Sequence, residues 1–105
     1  MIRELSIPPD TEGDDNATEM IRVWLAHEDV HVSLLLGMWE DAEDCDVDER
    51  EAWGNLLADV ARHVASGMAQ SHAWDQLATL RRIKQAFLEN LDLQERRIEG
   101  RYFEN

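Results

Sequence analysis

The apolar positions of this chain change period part-way along it. Between residues 19 and 39 they alternate: Ile21, Val23 and Leu25, then Val30, Val32, Leu34, Leu36 and Met38. Alternation is the mark of a strand with one face turned to a core. The β-branched residues Ile21, Val23, Val30 and Val32 reinforce it, because their stiff side chains suit a pleated surface. A helical reading of the same stretch puts Met20, Trp24, Glu28, His31, Leu35 and Trp39 on one stripe. The alternation is longer and more regular, so a β-hairpin over about 19–39 is expected, turning near Glu28-Asp29. It lacks the Asn-Gly pair that most strongly marks a tight turn.

Further on, the spacing lengthens to threes and fours. Trp53, Leu56, Leu57, Val60, Ala61, Val64, Ala65 and Met68 predict an amphipathic helix over about 49–69. Asp48 and Glu51 stand at capping-box spacing before it, and Gly67 and Ser71 are expected to mark its end. Trp74, Leu77, Leu80, Ile83, Phe87 and Leu91 predict a second helix over about 72–91. Their short connection implies an antiparallel pair. The expected fold is α+β with two layers, the hairpin packed on two antiparallel helices.

The remaining segments frame a single domain over 19–92. Residues 1–18 read as an arm, with Pro8-Pro9 blocking regular structure and Leu5 and Ile7 as anchors. The acidic run from Glu40 to Glu49 reads as a solvated connector, because its like charges repel and it has little to bury. Residues 93–105 read as a polar tail, with Ile98, Tyr102 and Phe103 as its anchors.

Size and charge narrow the function classes. A chain of 105 residues is one domain with a thin core, which oligomerisation would thicken. On the expected sheet, Trp24, Leu35 and Trp39 fall on the face away from the helices, where a monomer would leave them wet. They are the candidate interface of a homodimer. A formal charge of -13 repels nucleic acid and anionic membranes, so neither is an expected partner. It suits solubility, and leaves a basic protein or a small molecule as further partners. The longest apolar run, Leu34 to Leu36, is far too short to span a bilayer. Cys45 is the single cysteine, so no disulfide within the chain is available, which fits a reducing cytoplasm. No signal peptide is expected at the N-terminus.

One string has the letters of a catalytic motif. His27-Glu28-Asp29-Val30-His31 matches the zinc-protease signature, in which two histidines one helical turn apart hold zinc and the glutamate acts as base. A zinc-dependent hydrolase using His27, Glu28 and His31 would need a third ligand, with His63 the best placed and Asp59 one turn before it. Across a strand turn the same letters carry no chemistry, and the hairpin reading predicts that case. The second cluster is then His31 with Asp59 and His63, brought together if the hairpin packs on the helix. Its ordinary explanation is a helix pair at i and i+4 in which aspartate favours protonated histidine. Trp24 and Trp39 could also line a small-molecule pocket, although nothing polar marks its chemistry. Gly37, Gly54 and Gly67 are isolated, so no phosphate loop is present, and no cofactor or metal is expected.

The chain resembles a family of short alphaproteobacterial proteins carried as a domain of unknown function. The resemblance runs through Glu4 to Pro9, Arg22 to Ala26, His31 to Leu34, Gly37 to Trp39, Ala52 to Gly54 and Leu57 to Ala65. It implies that His31-Val32-Ser33 opens the second strand after a variable turn holding His27 and Glu28. It implies no activity, and it keeps Asp59 and His63 as positions that match the family pattern.

Overall fold

The computed structural model describes residues 1–93 and the backbone of residues 100–104. Two strands, β1 (Ile21–Ala26) and β2 (Asp29–Leu36), form the expected antiparallel hairpin. Two helices follow, α1 (Glu49–His72) and α2 (Gln76–Leu91), which pack on each other. The arrangement is α+β, as the change of period indicated.

The tail adds an element that the sequence did not announce. β3 (Gly100–Glu104) pairs parallel to β2, with Val32 opposite Gly100 and Leu36 opposite Glu104. The sheet order is therefore β1-β2-β3, and β2 is its central strand. A parallel pair cannot be joined by a tight turn and needs a long crossover, which the helical hairpin supplies. Ile98, and the side chains of Tyr102 and Phe103 expected as anchors, lie outside the described residues.

The helix ends also differ from expectation. Asp48 caps α1, its side chain accepting from the Arg50 N–H at 2.8 Å. The helix then runs through Gly67 and Ser71, and stops only at Ala73, which takes a left-handed conformation with φ 57°. A lone glycine weakens a helix without ending it, and here Ser71 Oγ donates back to the Gly67 carbonyl at 2.8 Å. Asp75 caps α2 through the Ala78 N–H at 2.8 Å, so α2 begins later than the apolar spacing suggested.

Leu5 and Ile7 do not anchor the arm, since both are exposed. Instead the Glu4 carboxylate meets the Arg22 guanidinium at 3.1 Å, and Arg22 also binds Glu19 at 3.0 Å. Arg22 is surface-exposed, so this tether is weak.

The core is thin. Among the described residues only Ala52 and Ala65 are buried, and no large side chain is fully so. The radius of gyration is 15.9 Å, against roughly 13 Å for a compact chain of this length. No described helix is long and apolar enough to cross a membrane.

Candidate functional site

The His-Glu-x-x-His string lies across the hairpin turn. His27 and Glu28 are its two loop residues, with φ of 52° and 60°. Left-handed backbone at both positions is what a two-residue hairpin of primed type demands. His31 sits in β2, its ring edge-on to His27 at 6.3 Å between centroids. His31 Nε2 donates to the Ala26 carbonyl oxygen at 3.0 Å. The zinc-protease arrangement requires both histidines on successive turns of one helix. Turn and strand backbone do not provide it, so the motif's catalytic meaning is withdrawn.

Asp59 and His63 do meet, one turn apart on α1. His63 Nδ1 lies 2.8 Å from the Asp59 carbonyl oxygen and 3.6 Å from its carboxylate. Both side chains are exposed, and Asp59 also faces Arg62 at 3.9 Å. His31 belongs to the central strand instead. Among the described residues no group of three or more His, Cys, Asp or Glu is placed to hold a metal ion.

Among the described residues the helices pack on neither face of the sheet, so the expected division into a covered and a wet face is not seen. The strand register places Ile21, Val23 and Leu25 beside Leu34, Val32 and Val30 on one face. Leu25 on this face is 82% exposed, and Val23 and Val30 are exposed as well. Trp24 and Leu35 are half-buried on the other face. Trp39 is half-buried too, with its ring 6.3 Å from that of Trp53 and nearly perpendicular to it. Trp24 lines a different cavity, with the arm residues Met1 to Pro8.

The best-organised polar centre is one that sequence reading passed over. Glu49, the first residue of α1, accepts four hydrogen bonds. The Gly37 N–H reaches one carboxylate oxygen at 3.0 Å and the Trp53 indole N–H reaches the same oxygen at 2.8 Å. The Trp39 and Glu40 N–H groups reach the other at 2.9 Å and 3.1 Å. Gly37, with φ of 89°, makes the turn that aims these N–H groups at the carboxylate. Partial burial pushes the Glu49 carboxyl up, but the bonds from Gly37, Trp53, Trp39 and Glu40 outweigh it and hold it below its ordinary value of 4.5. Asp48 beside it is held at about 2, chiefly by the Arg50 side chain and then by the Arg50 N–H. The only available signal was a glutamate four residues before a tryptophan, which reads equally well as a first-turn dipole residue.

This clasp ties the end of the sheet to the start of the helices. An open depression of 880 Å³ lies beside it, lined by Leu36, Cys45, Val47, Asp48, Arg50 and Trp53 among others. Arg50 is committed to Asp48 at 2.8 Å. The carboxylate's acceptor sites are filled by the protein itself, so the clasp is built to hold structure together.

Comparison with known proteins agrees with this layout. The family described as domain of unknown function (DUF5076) matches residues 4–94. This chain belongs to that family. No curated protein matches it. A solved structure from the photosynthetic bacterium Rhodopseudomonas palustris, of a protein provisionally named a pyruvate dehydrogenase, is similar over 94% of each chain. Its TM-score is 0.64 and its sequence identity to this DUF5076 member is 27%.

Proposed function

We propose that this DUF5076 protein is a homodimeric structural or interaction module without catalytic activity. The observation that carries the reading is its surface. The chain exposes 9595 Å², whereas a compact monomer of this mass exposes roughly 6,000 Å². The exposed arm accounts for part of the excess. The open surface includes apolar side chains on ordered elements: Val23 and Leu25 on β1, Val60 and Val64 on α1, and Leu77, Leu88 and Leu91 on α2. A stable interface covers roughly 800 Å² per partner, well within that excess. A second copy is the partner always at hand.

The provisional name of the Rhodopseudomonas palustris relative stays with that protein. A dehydrogenase acting on pyruvate relies on a bound cofactor. The glycines of this chain are isolated, and the Glu49 centre is satisfied internally by Gly37, Trp39 and Trp53.

Light scattering across a micromolar dilution series tests the proposal. A species of twice the 12.1 kDa chain mass is expected. A single-chain mass at every concentration would remove it.

A further inference from the structure

We infer that two copies associate through an antiparallel pairing of α1 with α1 of the second copy. This rests on the dimer reading above and names the surface that makes the dimer.

The sequence of α1 contains a seam that its own chain covers at Trp53, half-buried in the Glu49 clasp, and leaves open from Leu57 onward. Trp53, Leu57, Val60, Val64, Gly67 and Ser71 follow one another at steps of four and three. That is the heptad spacing of a helix packed along another helix. The intramolecular partner, α2, lies elsewhere on α1: Ala65 is fully buried, and Ala61, Met68 and Ala69 are half-buried on that side. Ala65 follows Val64 directly, so the two sides stand roughly 100° apart around the helix. In the open part of the seam, Leu57 is 39% exposed, Val60 45% and Val64 49%.

The seam is graded in size, and the grading selects direction. Its largest open residue, Leu57, stands toward one end, and Gly67 and Ser71 stand at the other. Run antiparallel about a two-fold axis beside Arg62, the open part of the seam pairs with itself: Leu57 opposite Gly67, Val60 opposite Val64. Each layer then joins a larger residue to a smaller or equal one. A parallel pair would set Leu57 against Leu57 and leave Gly67 against Gly67, crowding one end and hollowing the other.

Gly67 leaves room for that pairing, being as open as Gly54 on the same helix. A Cβ built there meets nothing within 4 Å, so the chain's own packing does not require glycine. Glycine inside a helix is unfavourable. A second helix approaching at that level, with Leu57 of the second copy filling the space, makes use of that room. Each copy adds α1 and α2, so the pair makes a four-helix bundle with the sheets outside it.

Disulfide trapping reads both the surface and the direction. In a Cys45→Ser background, an oxidised mixture of Leu57→Cys and Gly67→Cys chains is expected to give the mixed cross-linked dimer. Leu57→Cys alone stays uncross-linked, because its two copies sit ten residues apart along the antiparallel pair, about 15 Å. Efficient self-cross-linking of Leu57→Cys, or no mixed product, would overturn the antiparallel pairing. Val64→Glu, with helicity checked by circular dichroism, is expected to weaken association by more than about a hundredfold. Val23→Glu on the sheet should leave association unchanged. A wild-type dimer that survives Val64→Glu but is lost in Val23→Glu refutes the α1 seam while keeping the dimer. A monomeric wild-type protein refutes the dimer itself.

Discussion

Single residues decide the two questions that the sequence raised most sharply. His27 and Glu28 sit at left-handed φ values, where a side chain is costly by about 1 kcal/mol each. That turn converts a catalytic signature into a hairpin loop. Replacing Glu28 with glycine should therefore raise hairpin stability by about 1 kcal/mol, read as a higher midpoint in denaturant titration. A lower midpoint would mean that Glu28 makes an interaction worth more than its backbone strain. Glu49 acts in the opposite sense, as a residue whose loss undoes contacts. Its folded carboxyl is held below 4.5, so its contribution is complete above that pH and fades as pH falls through the lowered value. Asp48 follows the same sign, with its contribution lost between its ordinary 3.8 and about 2. Glu49→Gln keeps the shape but offers N–H groups toward N–H groups. It is expected to lower the thermal midpoint at neutral pH and to flatten the acid branch of the stability curve. An unchanged acid branch would place the acid-sensitive group elsewhere.

Among the elements, what was legible depended on period. The hairpin could be read because Val30 to Met38 alternate over a long run, and α1 because Trp53 to Met68 keep a helical stripe. The strand β3 could not, because its five residues are short, mixed in charge, and paired only after the chain has crossed two helices. The end of α1 was misplaced for a related reason. Gly67 looked like a stop signal, but a stop needs a left-handed residue, and Ala73 supplies it two residues after Ser71. Alternation put Val23 and Leu25 toward the core and Trp24, Leu35 and Trp39 on the outer face, whereas Val23 and Leu25 are exposed because no helix packs on the sheet among the described residues. The Glu49 clasp was invisible for want of any spacing rule that links a carboxylate to three N–H groups of a distant turn. The Asp59 and His63 pair was legible, as i and i+4 on a helix always is, and it flanks the α1 seam. At this scale Gly67 gives a discriminating test. For an isolated helix, Gly67→Ala should stabilise by about 1 kcal/mol, and Gly67→Leu should do nearly as well. If a partner helix sits there, Gly67→Leu instead overfills the layer opposite Leu57 and weakens association. Light scattering separates the two signs.

For the whole molecule, the account joins a thin core to a large apolar surface. A chain with no fully buried large side chain among its described residues has little to hold it together alone. In the proposed dimer, pairing supplies the missing burial, at the expense of bringing two strongly acidic chains together. With -13 on each, repulsion opposes association, and added salt screens it. The dimer is therefore expected to tighten as ionic strength rises from low values, measured by sedimentation at fixed concentration. Weaker association with salt would indicate that ion pairs, not apolar contact, hold the copies together. The central claim is that the fold is completed by a second copy. Its most direct test is the thermal midpoint followed over about a hundredfold range of protein concentration. A midpoint that falls steadily on dilution is the predicted result, and a midpoint that does not move would contradict the account.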